Sequence, residues 1–515
     1  MNHLSLADWS VIVGYLLAII GLGVWLGRDQ RNTRDYFLGS KNIQWWGIGL
    51  SIVAAETSAL TIIGVPATAY GTNLAFIQMI IGYVIARIIL AIVMVPHYFK
   101  GEIYSPYQLF ANTLGPAARQ TAGGLFLVSE TLAAGVRVYV ACIPVQLMLG
   151  IHVLPSIVLF VALSLVYTYI GGVKAVIWTD AVQFALFLAG GVFAICYIPT
   201  LVDGGLPAVL TEARQAGKLH WFNPYFSFGE PFNIWMGIIG GTVMVLSSHG
   251  AEQLIVQRVL SCKNVADGRK ALVLSAVVIF PLFLIFLLAG AMLWGFYQHH
   301  QPAIPIPQVR PGIRPNDFIF PIFMLTEVPH VLKGFLIVAI LSAAMSSVSS
   351  ALTSLASVST MDFVRHFGLR QRTEEFYLHF SKWSTVFWAA ALIFVAYLSR
   401  QVVLVLNAAF SLRGLTSGAL LGGLFLAVFW RNARARPVVA GMLTALLVMT
   451  MIQLLPQLRW THDWWMRTFK TEIFWPWYTL IGTVVTLLTA FAVRGFSSDQ
   501  PLPDSGHSVR SALEL

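Results

Sequence analysis

The chain has 515 residues, of which 57% are hydrophobic and only 10% charged. Soluble globular proteins carry about 25% charged residues, so a water-soluble fold is excluded and lipid must solvate much of this surface. The net charge of +10 would point to an acidic partner in a soluble protein. Here the placement of the basic residues decides its meaning.

Taken in chain order, thirteen apolar segments are long enough to span a bilayer: roughly 7–27, 46–68, 74–99, 120–149, 154–172, 175–199, 233–258, 271–297, 330–363, 380–399, 401–430, 436–455 and 474–494. The first lacks a basic leader and a small-x-small cleavage site, and reads as a membrane helix rather than a signal peptide. With the N-terminus outside, the loops assigned to the cytoplasm hold 20 of the 32 Lys and Arg residues, the opposite loops nine, and three (Arg87, Arg137, Arg413) fall inside spans. That bias follows the positive-inside rule. It accounts for the net charge without nucleic acid and predicts a multi-pass plasma-membrane protein (inner membrane in a Gram-negative bacterium), with the C-terminus cytoplasmic.

The segments divide the chain into an N-terminal extra helix and loop (1–45), a central core (46–430), two C-terminal helices (431–495) and a polar, mobile tail (496–515). No soluble domain, metal cluster or nucleophile–base motif points to an enzyme. Cys142, Cys196 and Cys262 show no zinc or redox spacing and read as free thiols. Trp45, Trp46, Trp460, Trp464, Trp465, Trp475 and Trp477 lie near span ends, the pattern of an interfacial aromatic belt, with a vestibule lining as the alternative.

Two spans, five apart, are interrupted. Segment 46–68 is rich in small and hydroxylated residues, carries Glu56 in its middle and closes with Gly64 and Pro66. Segment 233–258 contains Gly237, Gly240, Gly241, Ser247, Ser248, His249 and Gly250. Corresponding broken helices in two halves mark inverted-repeat transporters, whose unwound backbone offers carbonyls to a cation. Gly and Ser equally serve close helix packing, and for segment 233–258 alone both readings stand.

A charge at the bilayer centre costs roughly 2.5–3.5 kcal/mol on insertion scales. Arg87, Glu130 and Arg413 read as structural pairs or interfacial anchors, whereas Glu56, Arg137 and Asp180 sit among the motifs and read as functional. In segment 330–363, Ser346, Ser349 and Ser350 share a face at i, i+3 and i+4, with Ser347 beside them. A serine stripe can be plain packing, or a ladder of neutral oxygens suited to a hard cation such as sodium.

Five motifs are familiar together: Asp35-Tyr-Phe-Leu-Gly39, Gly64-Val-Pro-Ala-Thr-Ala-Tyr70, the stretch from Tyr169 to Gln183, Glu252-Gln-Leu-Ile-Val-Gln-Arg258, and the serine stretch. In this order, over about residues 7–455, the chain resembles the sodium:solute symporter family, which includes sodium-coupled sugar, sialic acid, proline and pantothenate carriers. The resemblance implies an all-α polytopic protein of about 13 transmembrane helices with a LeuT-type core. Five spans (46–68 to 175–199) and five more (233–258 to 401–430) would form its inverted repeats.

It also implies a first Na+ site of backbone oxygens from Ala54, Thr57 and Ala343 and hydroxyls from Ser346 and Ser347. A second Na+ site would use Asp180, Ser349 and Ser350 and share Ser346. Family positions facing the solute fall on Glu56, Ser58, Thr61 and Phe76, and near Ile80. Arg137 lies one turn beyond the carboxylate-binding arginine of sialic acid carriers, and His249 is a further candidate. Proline carriers have an acid where Glu56 stands and sialic acid carriers a hydroxyl; the motif acid at 252 is commonly Asp. Glu56 and Arg137 therefore either grip a zwitterion or pair with each other and face a sugar or polyol.

The function expected is sodium-coupled symport of a small organic solute (sugar, sialic acid, amino acid or related carboxylate) by alternating access, in a lipid bilayer; the sequence sets no oligomeric state, and a monomer is plausible. The alternatives are a proton-coupled or sodium-independent carrier on the same scaffold, and a transporter-like sensor.

Overall fold

In the computed structural model, residues 4–27, 32–58, 60–101, 103–306, 308, 316–366, 372–401, 405–430 and 433–494 are described. The polar tail expected from residue 496 lies outside them. Among the described residues all regular structure is helical. Each span buries its backbone polar groups in its own ladder, as a bilayer demands.

The chain enters through α1 (Leu6–Leu26), started by a capping box in which Ser5 and Asp8 bond each other's backbone N–H. Helix α2 (Trp45–Glu56) stops partway along a bent span. Thr57 turns to φ −82°, ψ 94° and the last ladder bond runs from Thr57 N to Val53 O. The chain resumes as a π-helical turn, Leu60–Gly64, and then α3 (Val65–Gly71) with Pro66 in its first turn. Beyond this end, Lys218 donates to Tyr70 O at 2.8 Å, a cation on a helix C-terminus. Burial in that loop lowers its ammonium pKa.

Helix α4 (Ile77–Val93) and α5 (Pro116–Leu149) follow, then the run α6 (Val153–Tyr197), two helices joined at the non-helical Gly172 (φ 54°, ψ −159°). The second interrupted span is a π-helical turn (Met236–Gly241), α7 (Thr242–Gly250) and α8 (Gln253–Leu260). Its break is at Ala251–Glu252, where Glu252 is extended (φ −103°, ψ 135°). The glycines upstream do close-packing work. A Cβ on Gly82 of α4 would stand 2.6 Å from Thr242 N, and one on Gly241 2.8 Å from Met79 O.

The remaining spans are α9 (Val265–His299), α10 (Leu332–Val358), α11 (Glu374–Leu398), α12 (Val405–Phe429), α13 (Ala435–Leu454) and α14 (Tyr478–Arg494). Helix α10 is buried along nearly its whole length, against α6, α5 and α1. It is the central rod of the molecule.

Ten described helices are long and apolar enough to cross a membrane, or eleven with the bent pair around Thr57 counted as one span. The thirteen segments expected from sequence differ from the structure in one place, segment 233–258, and from the count in one more. Segments 154–172 and 175–199 are the two helices of the α6 run, joined at the non-helical Gly172 and counted above as one. Segment 233–258 is divided at Ala251 into pieces too short to span singly. Cys142, Cys196 and Cys262 are all free thiols.

Candidate functional site

Between the two broken spans lies a cavity of about 770 Å³ of atom-free space, open solvent included. Its wall takes Glu56, Ser58 and Thr61 from the first break, Arg137 from α5, and Ser248 and Glu252 from the second break. Phe410, Arg413 and Ser417 come from α12. Trp475 and Thr479, at the start of α14, complete it, so the wall reaches beyond residue 430, where the expected core ends.

Every charge in the wall has a partner. Glu56 pairs with Arg87 of α4, with His249 Nε2 3.6 Å away. Arg137 Nη2 donates to Glu130 at 2.7 Å, two turns back on the same helix. Arg413 Nε donates to Glu252 Oε2 at 2.8 Å. The alternative in which Glu56 and Arg137 pair with each other is overturned. Each meets instead a residue the sequence reading set aside as structural. Three acids and three guanidiniums sum to zero, which is what permits this many charges at membrane depth.

The guanidiniums are not exhausted by these pairs. Arg137 uses Nε on Ala133 O and Nη2 on Glu130; Arg413 uses Nε and Nη2 on Glu252. In each, Nη1 makes no hydrogen bond among the described residues. The aromatic side is continuous: Trp475 stacks on Phe410 (centroids 4.6 Å, 14°) and donates Nε1–H to Asn407 at 3.0 Å.

Two expected solute residues stand behind the wall. Phe76 is fully buried, stacked on the wall residue Phe283 (5.8 Å) and edge-on to Phe232 (4.9 Å). His249 shares Ser248's hydroxyl at 2.8 Å and backs Glu56. Helical phase rotates both away from the opening. Trp475, read as belt, turns inward. Sequence reasoning missed Glu252, Arg413 and Trp475 as wall residues, although Arg413 had already given the signal of an intramembrane charge.

The cation-binding candidates lie beside α10. Where α2 ends, its last carbonyls, Ala54 and Thr57 among them, have no following turn to bond. Thr57 Oγ1 is buried and has no partner among the described residues. Helix α10 packs against α2 and contributes Ala343, Ser346 and Ser347, all buried. The serine hydroxyls bond back along their own helix: Ser347 to Ala343 O (3.0 Å), Ser349 to Ser346 O (3.0 Å) and Ser350 to Ser346 O (2.6 Å). Back-bonding satisfies the packing role. It also leaves the oxygen lone pairs outward, which is what a hard cation needs.

Asp180 of α6 is fully buried. Its Oδ1 accepts from Ser346 Oγ at 2.6 Å, and its Oδ2 accepts from Ser51 Oγ at 2.6 Å and Arg258 Nη2 at 2.9 Å. The motif at 252–258 is absorbed residue by residue. Glu252 holds Arg413, Gln253 donates to Tyr104 O (2.8 Å), Gln257 to Phe37 O (2.9 Å), and Arg258 reaches Asp180.

The model of the sodium:solute symporter family matches residues 36–445. The chain belongs to the sodium:solute symporter family. It is 28% identical over 457 residues to the sodium/sialic acid symporter SiaT of Proteus mirabilis (strain HI4320), covering 87% of this chain and 89% of that one. To the human sodium/iodide cotransporter it is 27% identical, covering 84% and 68% respectively. To the human sodium-coupled monocarboxylate transporter 1 it is also 27% identical, covering 81% and 68%. Among solved structures it superposes on a substrate-bound, outward-open sodium-coupled sialic acid symporter with TM-score 0.84 at 24% identity, over 97% of this chain and all of that one. A nucleobase-cation-symport-1 family transporter shares the fold at TM-score 0.54 and 14% identity, over 89% of this chain and 93% of that one. The LeuT-type fold expected from the motifs is therefore present. This symporter couples the movement of a small solute to sodium.

Proposed function

We propose that the solute is a small organic carboxylate, carried with two sodium ions by alternating access. The carrying observation is the pair of guanidiniums, Arg137 and Arg413, each fixed by its own glutamate and each with Nη1 unengaged in one cavity wall. A carboxylate is the natural acceptor for such edges. Relatives named for sialic acid and monocarboxylates fit the same chemistry. Glu56 is held by Arg87 and keeps the cavity neutral, while Ser58 and Thr61 offer hydrogen bonds to the solute's polar body. Phe76 and His249 support the wall from behind.

The first sodium is held by Ala54, Thr57, Ala343, Ser346 and Ser347. The unpartnered Thr57 hydroxyl and the released end of α2 favour this. The second is held by Asp180, Ser346, Ser349 and Ser350. Sodium binding orders the end of α2 against α10 and so shapes the Glu56 side of the cavity, a coupling between two ligands. The symporter sits as a monomer in the plasma membrane with its N-terminus outside.

With two sodium ions and a monoanion, one net charge crosses per cycle, worth about 2.3 kcal/mol at 100 mV. Two tenfold sodium gradients add about 2.8 kcal/mol, enough in total for a concentration ratio of several thousand. The test is uptake in proteoliposomes under a sodium gradient, with pyruvate, lactate and N-acetylneuraminate against their neutral amides. Inward current and preference for the acids are expected; preference for the amides would reject a carboxylate solute.

A further inference from the structure

The Arg258 side chain makes four hydrogen bonds. It stands on α8, the inner piece of the second broken span, and its side chain is 2% exposed. Nε donates to Ser51 Oγ of α2 at 2.8 Å, Nη1 to Leu254 O of its own helix at 2.6 Å, and Nη2 to Asp180 Oδ2 of α6 at 2.9 Å. The same Nη2 also reaches the Ser350 hydroxyl of α10. One guanidinium thus joins four helices. Two of its four acceptors, Asp180 and Ser350, belong to the second sodium site proposed above, and a third, Ser51, occupies the same carboxylate oxygen as Arg258 itself.

We propose that Arg258 is a built-in competitor of the second sodium ion. The inference rests on the reading of Asp180 as a sodium ligand. A single buried carboxylate balances one positive charge, and the neighbouring hydroxyls are neutral. A sodium ion on Asp180, Ser346, Ser349 and Ser350 must therefore share its only counter-charge with the guanidinium, or displace it. Arg258 already takes one of the two lone pairs of the Ser350 hydroxyl, so sodium would have to share that oxygen with the guanidinium. Sodium binding accordingly loosens Arg258 from Asp180 and Ser350.

That release has a mechanical consequence. Arg258 is the tie from α8 to α2, α6 and α10, and α8 begins one residue after Glu252, which lines the solute cavity through its pair with Arg413. Occupancy of the ion site is passed to the inner half of the broken span by exchange of one cation for another, with no new contact required. Arg258 is a positioning residue here and touches no solute.

The test is equilibrium sodium binding to the purified full-length protein, with potassium as the balancing salt and no solute. It compares the wild type with R258K, R258Q, D180N and D180N/R258Q. Competition predicts sodium affinity in the order R258Q above R258K above wild type, with roughly a tenfold gain for R258Q. An amine with fewer partners holds the carboxylate less firmly than the guanidinium, and glutamine carries no charge. R258K carries the test alone if R258Q does not fold. D180N is expected to abolish one sodium-binding event, and R258Q to add nothing in that background. If both Arg258 variants bind sodium no better than wild type while D180N loses an ion, competition is overturned and the second sodium site stands. If D180N binds sodium as wild type does, the site reading fails and the inference falls with it.

Discussion

Two of the buried sets of carboxylate–arginine pairs among the described residues are built differently. Around the solute cavity three acids face three arginines, Glu56 with Arg87, Glu130 with Arg137 and Glu252 with Arg413, and Arg137 and Arg413 keep a donor unused in the cavity wall. Beside α10 one acid, Asp180, meets one arginine, Arg258, in a cage of serine hydroxyls with no cavity opening onto it among the pockets described. The first set neutralises itself pairwise and presents edges, which suits recognition of an organic anion. The second surrounds a single negative charge with small oxygens, which suits a bare cation. The same ion-pair chemistry is proposed to serve two ligands, because the surrounding side chains differ in size and in free donors.

The largest test of this contrast is to break one pair in each set. Asp180→Ala leaves Arg258 buried and unpaired, and Glu130→Ala does the same to Arg137. Each is expected to cost about 3–5 kcal/mol of stability, read by thermal melting in potassium chloride. Only Asp180→Ala should also reduce the extra stabilisation that sodium chloride confers, which follows from ligand linkage. Equal sodium shifts in both variants would erase the distinction.

Next in size is Arg413→Gln, which removes a charged donor from the cavity. A hydrogen bond to a charged group is worth about 1.5–3 kcal/mol, so KM for a carboxylate solute should rise by at least tenfold. Sodium affinity measured without solute should hold. A matching loss of sodium affinity would mean that the two sets are not separable.

Ser346→Ala sharpens the contrast from the other side. Ser346 donates to Asp180 at 2.6 Å and belongs to both proposed ion sites. Its loss should weaken sodium binding by roughly tenfold, about 1.4 kcal/mol. Solute KM at saturating sodium should stay within about twofold. Smallest is Trp475→Phe, which keeps the stack on Phe410 and loses the bond to Asn407. About 0.5–1.5 kcal/mol is at stake, seen as a few-fold rise in solute KM with the sodium dependence unmoved.

Much of this was legible before any coordinates. The break of α2 at Thr57 was announced by small and hydroxylated residues around Glu56, and the structure stops the helix there. The second break was readable only in part. Its glycines suggested it, yet they close-pack against α4, and the chain turns later, at Glu252. Phe76 stands behind the cavity wall, against Phe283 and Phe232: a family position marks a place in the chain, and packing decides whether a ring enters the cavity or props it. Trp475 was hidden by its neighbours: seven tryptophans near span ends look alike until the loop before α14 folds one of them inward.

What the sequence determined by itself is everything that depends on local composition and length: the spanning segments, the interrupted helices, the serine face of α10 and the roster of charges too costly to lie in lipid unpaired. Those are properties of consecutive residues and of the solvent around them. What only the tertiary structure decided is who pairs with whom. Arg413 meets Glu252 across 161 residues, and Arg258 meets Asp180 across 78. A guanidinium bonds only what lies within about 3 Å of its nitrogens, and that neighbourhood exists only once the helices have packed.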